Sequence, residues 1–204
     1  MLAHLSGYTA LYGGSFDPPH MGHQMACLYL LQALDADAVW LVPTGQHAFG
    51  KALIPYKHRR AMCERMAAPF GSKVLVNDIE EQQGGTSYTI DTLLALRKAH
   101  PTTPFALVIG ADVVQDLPRW HRAAELVQMS PLVVVGRSGV VSPATVTVGS
   151  TVVFVEPPQV DMPDISSRSL RGALGESDYT AAVDRKMPKS VADYILAHGL
   201  YQGR

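Results

Sequence analysis

What most constrains this chain is an alternation: short runs of β-branched and apolar residues are separated by longer segments with helical spacing. A parallel sheet with crossover helices produces that pattern. Strands are expected at residues 9–12, 38–42, 73–76, 105–109, 132–135 and 152–155, and helices at 22–34, 56–67, 89–99 and 123–128. Segment 89–99 places Ile90, Leu93, Leu94 and Arg97 on one stripe, with Ser87 and Thr89 as caps for its start. Pro188 opens a last helix that carries Val191, Tyr194, Ile195 and His198 on one face and stops at Gly199. The expected fold class is α/β: a doubly wound, mainly parallel sheet in one domain spanning 1–204, with 163–204 as a small helical C-terminal part. The longest irregular stretches, 43–55 and 136–149, have the length of lids or insertions, and the second has room for an extra strand at 145–148.

With 47% hydrophobic and 17% charged residues among 204, the chain has the makeup of a soluble globular protein. Its net charge of -1 and pI near 6.7 give no bulk attraction to nucleic acid or to a membrane surface, so any anion site must be local. The first dozen residues lack a basic stretch followed by an apolar one, and no run reaches the roughly 18 apolar residues of a membrane span. A cytoplasmic location is expected. Cys27 and Cys63 fall in helical segments and read as buried free thiols, since a structural disulfide is unusual in that compartment.

The densest chemistry follows the first strand, in Gly13-Gly14-Ser15-Phe16-Asp17-Pro18-Pro19-His20-Met21-Gly22-His23. The glycines let the backbone turn sharply and approach a ligand, and the prolines stiffen the loop before the helix begins. His20 and His23, three residues apart on a first helical turn, project from one face, and Gly22 leaves room for a phosphate between them. A Gly-Gly pair is also a common plain turn, and isolated histidines commonly satisfy local hydrogen bonds. As zinc ligands the two histidines lack a nearby third donor and the i, i+4 spacing of helical sites. No Lys-Ser or Lys-Thr follows the glycines, which excludes a Walker loop, and the G-x-G-x-x-G dinucleotide pattern is absent.

Phe16, Asp17, Pro18, His20, Gly22 and His23 stand in register with G-x-F-D-P-x-H-x-G-H, and the chain resembles the HxGH-type nucleotidyltransferases. The likeness covers nearly the whole chain. Ser87-Tyr88-Thr89-Ile90-Asp91-Thr92-Leu93, Gly110-Ala111-Asp112 followed by Trp120, and Ile165-Ser166-Ser167-Arg168-Ser169-Leu170-Arg171 are similar to successive motifs of bacterial nicotinate mononucleotide adenylyltransferases. Residues 188–201 are similar to their C-terminal helix. Two segments depart: Pro43-Thr44-Gly45-Gln46-His47-Ala48-Phe49-Gly50-Lys51 replaces the family's Pro-Asn segment ending in Pro-x-His-Lys, and Arg168 stands where I-S-S-T has its Thr. Pantetheine-phosphate adenylyltransferases and cytidylyltransferases share the first motif but not the 87–93 segment or the Trp120 spacing. A nucleotide-binding regulator without turnover is the alternative from another class, and the intact histidine pair speaks against it.

The resemblance implies a Rossmann-like nucleotidyltransferase fold and transfer of AMP from ATP to nicotinic acid mononucleotide in NAD biosynthesis. His20 and His23 are the implied catalytic donors to phosphate oxygens. The implied ATP site comprises Gly13, Gly14, Ser15, Phe16, Gly22, Gly110, Asp112, Ser166, Ser167 and Arg171, with Asp112 toward ribose hydroxyls and Arg171 toward the outer phosphates. Asp17, Ser87, Tyr88, Thr89 and Trp120 are implied for the acceptor, its pyridine ring stacked on Trp120. Taken alone, Asp112 and the serines are ordinary helix caps, Arg171 a surface charge and Tyr88 a packing residue. Lys57-His58-Arg59-Arg60 reads as helix packing and a solvated face, although Arg59 matches a family arginine. Mg²⁺ is expected to be held mainly by ATP phosphates and water, with no protein metal site. An acceptor phosphate is already anionic, so neither a strong base nor a covalent enzyme intermediate is expected. A doubly wound sheet also binds ligands where its strand order reverses, usually between the first and fourth strands, and the glycine and histidine loop and Gly110-Ala111-Asp112 follow those two strands.

Overall fold

The computed structural model of the protein describes residues 4–136, 145–154, 165–175 and 186–202. The strands are β1 (Thr9–Gly14), β2 (Ala38–Pro43), β3 (Gln46–His47), β4 (Val74–Val76), β5 (Thr86–Ser87), β6 (Phe105–Gly110), β7 (Leu132–Val135), β8 (Thr145–Val148) and β9 (Thr151–Phe154). The helices are α1 (Met21–Gln32), α2 (Tyr56–Ala67), α3 (Ile79–Gln83), α4 (Thr89–Ala99), α5 (Ala123–Met129), α6 (Ser167–Gly175) and α7 (Lys189–Ala197). Tighter 3₁₀ turns occupy Ala68–Lys73 and Ala111–Arg119.

Five strands form one parallel sheet in the order β4-β2-β1-β6-β7. The chain therefore builds outward from β1 to one edge and returns to build the other edge from β6, reversing direction between the two central strands. Both faces of such a sheet must be covered, and successive side chains on a strand point to opposite faces. Ala10, Tyr12, Val39, Leu41, Ala106 and Val108 accordingly pack on one face with α1, α2, α6 and α7. Leu11, Val42, Phe105, Leu107 and Ile109 pack on the other with α4, α5 and the Ala111–Arg119 turn. The expected α/β doubly wound sheet is present.

The differences from expectation are local. The run expected at 152–155 is Thr151–Phe154 and pairs antiparallel with β8 as a separate ribbon, outside the main sheet. Gly149 and Ser150 alone connect the two strands, with Gly149 at φ +59; a two-residue link closes a hairpin and is too short for a parallel crossover. Val155, residues 137–144 of the expected long loop, and residues 163–164, 176–185 and 203–204 of the expected C-terminal part lie outside the described residues. Neither Ser87 nor Thr89 caps α4: Tyr88 holds the N-cap position without a side-chain bond, and Thr89 is already helical. The buried stripe of α4 is Ile90, Leu93 and Leu96, with Leu94 turned outward. Pro188 is the N-cap of α7 rather than its first residue, and Gly199 at φ +58 takes the chain out of the helix. Cys27 and Cys63 are buried free thiols. Among the described residues, no helix is long and apolar enough to cross a membrane.

Leu30 and Leu28 give a direct test of which face of α1 is in the core. Leu30 is 0% exposed and Leu28 is 51% exposed. Leu30→Ala is expected to lower unfolding free energy by about 2–5 kcal/mol, and Leu28→Ala by less than about 0.5 kcal/mol, as read from urea denaturation of the two variants beside wild type.

Candidate active site

The C-terminal ends of β1 and β6 flank the reversal point, and the loop after β1 folds back on itself there. Phe16 adopts φ +47, and its ring returns beneath Gly14, where an added Cβ would stand 3.2 Å from it. That ring is buried and meets Tyr12 edge-on at 5.8 Å and His23 at 5.0 Å. Phe16 is thus a wedge behind the histidines, and its side chain offers no surface to a nucleotide.

His20 is the N-cap of α1, and its backbone N–H donates to Nδ1 of His23 at 3.1 Å. The two rings lie nearly face to face, 3.8 Å between centroids and tilted by 32°. Because Nδ1 of His23 accepts a hydrogen bond, its proton resides on Nε2, which makes that atom a donor. The N-terminus of α1 opens onto a cleft lined by Tyr12, His20, Gly22, His23, Gly110 and Asp112. The Asp112 carboxylate folds over Gly110, its Oδ1 standing 2.4 Å from where a Cβ would lie, and Asp112 itself is exposed. Sequence-predicted residues from the two central strand ends therefore share one cleft.

The rest of the loop is tied to the C-terminal helices. Asp17 is 0% exposed; Tyr201 Oη donates to its Oδ1 at 2.8 Å, and Arg171 Nη1 lies 3.9 Å from Oδ2 while donating to the Asp17 carbonyl at 2.6 Å. Burial and the Asp17 charge both push the Tyr201 phenol upward, so it stays a donor. Ser167 Oγ donates to the Pro18 carbonyl at 2.8 Å, and Ser166 Oγ accepts from Ser169 N–H at 3.1 Å as a cap at the start of α6. Asp17, expected at the acceptor, is buried in this structure and tied to the C-terminal part of the chain. Its Oδ1 bond to Tyr201 and the Arg171 bond to its carbonyl anchor the loop.

A correction concerns Arg59, read from sequence as part of a helix-packing and solvated basic run. Lys57 and Arg60 are exposed, but Arg59 is 2% exposed. Its Nε donates to the Ile54 carbonyl at 3.1 Å, Nη1 to the Ser15 carbonyl at 3.0 Å and Nη2 to the Gly45 carbonyl at 3.4 Å. One planar fork so holds the loop after β1 and the loop after β2 in fixed relation. Desolvation lowers its pKa and the nearby Asp17 charge opposes that shift. A sequence signal existed: Arg59 lies on the same helical stripe as Met62, Cys63 and Met66, all buried.

Lys51, at the end of the segment that departs from the family pattern, reaches back to the same loop. Its Nζ donates to Ser15 Oγ at 3.4 Å, and burial followed by the charge of Arg171 holds its pKa below the usual range, with Asp17 opposing. Lys51, Arg59 and Arg171 so surround the glycine loop with positive charge although the chain as a whole carries a net -1. Sequence reasoning missed Lys51, since its neighbours in the chain give no sign of that return.

On the other side of the cleft, Gly45 N–H donates to Glu80 Oε2 at 3.1 Å, and β3 leaves Gly45 to pair in parallel with β5. Ser87 Oγ is buried against Gly45 and close enough to the Glu80 carboxylate to help stabilise its charge. Tyr88 and Trp120 pack along the same apolar cluster, the Tyr88 ring against His121 at 4.4 Å, while Thr89 is half-buried at the first position of α4. Glu80, Gly45 and His121 were not singled out from the sequence; their roles arise from contacts far along the chain. Among the described residues, no group of three or more His, Cys, Asp or Glu side chains is arranged to hold a metal ion.

Comparisons with known proteins agree with this architecture. Residues 11–173 match the family described as cytidylyltransferase-like. A probable nicotinate-nucleotide adenylyltransferase of Myxococcus xanthus is 36% identical over 193 residues, covering 95% of this chain and 94% of that protein. One from Bacillus pumilus is 33% identical over 194 residues, covering 94% and 97%. Among solved structures, the Plasmodium falciparum nicotinic acid mononucleotide adenylyltransferase complexed with NaAD has the same fold, with a TM-score of 0.77 at 21% identity over 95% of this chain and 97% of that one.

Replacing Arg59 by Met leaves the carbonyls of Ser15, Gly45 and Ile54 without these donors and takes one of two nearby positive charges from Asp17, Arg171 remaining. Arg59→Met is expected to lower unfolding free energy by about 3–5 kcal/mol, measured by chemical denaturation. A variant as stable as wild type would show that these loops hold their places without the guanidinium.

Proposed function

Since the chain belongs to the cytidylyltransferase-like family and, within it, to the nicotinate-nucleotide adenylyltransferases, we propose that it transfers AMP from ATP to nicotinic acid mononucleotide. The products are nicotinic acid adenine dinucleotide and pyrophosphate, and the reaction belongs to NAD biosynthesis. The observation that carries this reading is the His20 and His23 pair, stacked at 3.8 Å beside Gly22 in the cleft at the strand reversal.

An oxygen of the mononucleotide phosphate attacks the α-phosphorus of ATP, the bond from that phosphorus to its bridging oxygen breaks, and the electron pair leaves with pyrophosphate. The nucleophile is anionic at neutral pH, so the work of the site is positioning and stabilisation of charge. His23, oriented by the bond from His20 N–H to Nδ1, presents Nε2–H to the α-phosphate oxygens, and His20 supports it from the stacked ring. Gly13, Gly14, Ser15 and Gly22 let the phosphates approach the backbone and the start of α1. Asp112, exposed at the end of β6, accepts from ribose hydroxyls. Arg171, with the start of α6 at Ser166 and Ser167, and Lys51 face the outer phosphates and the pyrophosphate that forms. Mg²⁺ would arrive with ATP, bound by phosphate and water rather than by a protein metal site, and would supply charge neutralisation at the leaving pyrophosphate.

The acceptor lies across the cleft, its ring on Trp120 and its carboxylate toward backbone donors at Tyr88 and Thr89. The cytoplasm, where ATP is available, is the compartment in which such an enzyme works.

Incubation of the pure protein with ATP, Mg²⁺ and nicotinic acid mononucleotide should give the dinucleotide, detected by mass, with one pyrophosphate per product. A folded protein that forms neither would overturn the assignment. His23→Ala should lower kcat by about a hundredfold or more while melting close to wild type; near-normal turnover would return His23 to a structural role. Donors aimed at a carboxylate are left facing an NH₂ group by nicotinamide mononucleotide, so the acid should be preferred by about a hundredfold in kcat/KM. Equal values for the two mononucleotides would remove the carboxylate site and leave the reaction class standing.

A further inference from the structure

Glu80 lies near the start of α3, is 8% exposed, and stands where three segments meet. Its two oxygens are divided between two of them: Oε2 accepts from Gly45 N–H at 3.1 Å, and Oε1 accepts from Thr92 Oγ1 at 2.9 Å. Gly45 runs directly into β3, which sets Gln46 opposite Thr86 and His47 opposite Ser87 on β5. Thr92 is one turn into α4, and its hydroxyl also lies 3.2 Å from the Tyr88 carbonyl. A single carboxylate thereby fixes the turn after β2 against the Ser87-Tyr88-Thr89 segment.

The fit leaves no slack. A Cβ on Gly45 would stand 2.8 Å from Ser87 Oγ and 2.9 Å from the Glu80 carbonyl oxygen. Burial raises the pKa of the Glu80 carboxyl, and hydrogen bonding from Thr92, Ser87 and Gly45 opposes that shift. A carboxylate so desolvated is a weak source of stability, and what it contributes is geometry. Glu80 is absent from the cleft lining that holds His20, His23, Gly110 and Asp112. Its bonds run to the segments assigned above to the acceptor.

We infer that Glu80 is a positioning residue for the acceptor: by joining Gly45 to Thr92 it sets the β3 and β5 pair against α4 and so governs acceptor affinity without touching the reacting phosphates. This rests on the assignment of residues 87–89 to the acceptor side. Glutamine keeps the shape and both contacts, since its oxygen can take the Gly45 N–H while its amide donates to the Thr92 hydroxyl. Alanine keeps neither.

Steady-state kinetics with ATP, Mg²⁺ and nicotinic acid mononucleotide separate the possibilities. Glu80→Ala should raise the acceptor KM by about tenfold, as a small misplacement of a binding segment does, with the ATP KM and kcat within about twofold of wild type. Glu80→Gln should return the acceptor KM to within about threefold of wild type. An unchanged acceptor KM in Glu80→Ala, an equal rise in both KM values, or a Glu80→Gln variant as impaired as Glu80→Ala would each overturn the inference. If Glu80→Ala does not fold, Thr92→Val carries the same test: a rise confined to the acceptor KM supports the inference, and a folded variant with wild-type KM overturns it. A wild-type protein that does not use the mononucleotide at all overturns the acceptor assignment itself, a failure visible before any variant is compared.

Discussion

The site is organised around a charge that has been taken out of water. Arg59 cannot give up its proton at any ordinary pH, so burying it requires dipoles or counter-charge in its place. The carbonyls of Ser15, Gly45 and Ile54 supply the dipoles, and Asp17 supplies the field. The guanidinium is planar and its donors diverge at fixed angles, so the loops that satisfy it are held in one mutual arrangement. Those are the loops at the ends of β1 and β2, whose strands pair from Thr9 opposite Ala38 to Gly14 opposite Pro43. The sheet brings the loop ends near one another, and the buried charge removes the freedom that remains.

Asp17 extends the arrangement in the opposite direction. It is met by Tyr201 from beyond α7 and by Arg171 from α6, so the loop after β1 is held from both sides of the chain. Arg171 thereby serves both the carbonyl and the carboxylate of Asp17. A surplus of cations around a loop rich in backbone donors is a local condition, and the net charge of -1 conceals it entirely.

What could be read from the sequence follows from how far apart the cooperating residues lie. The parallel sheet was legible because runs such as 105–109 are apolar at every position, which suits a strand buried on both faces. The histidine pair was legible because His20 and His23 act through one turn of α1. The roles of Glu80, Lys51 and Tyr201 were not, since their partners are 35, 36 and 184 residues away and nothing local marks them. Phe16 and Asp17 illustrate a different limit: both side chains turn inward, and a motif gives position in the chain and not the direction in which a side chain turns. Arg59 falls between these cases, since its place on an apolar stripe was visible and its three carbonyl partners were not.

The bond from Tyr201 to Asp17 also sets an order of events during synthesis. The phenol that completes the anchor of the glycine and histidine loop emerges from the ribosome 184 residues after Asp17. At translation rates of about 5–20 residues per second, Asp17 spends on the order of ten seconds or more without that partner. The sheet can begin to assemble in this interval, but the anchor of Asp17 is complete only once residue 201 has been made.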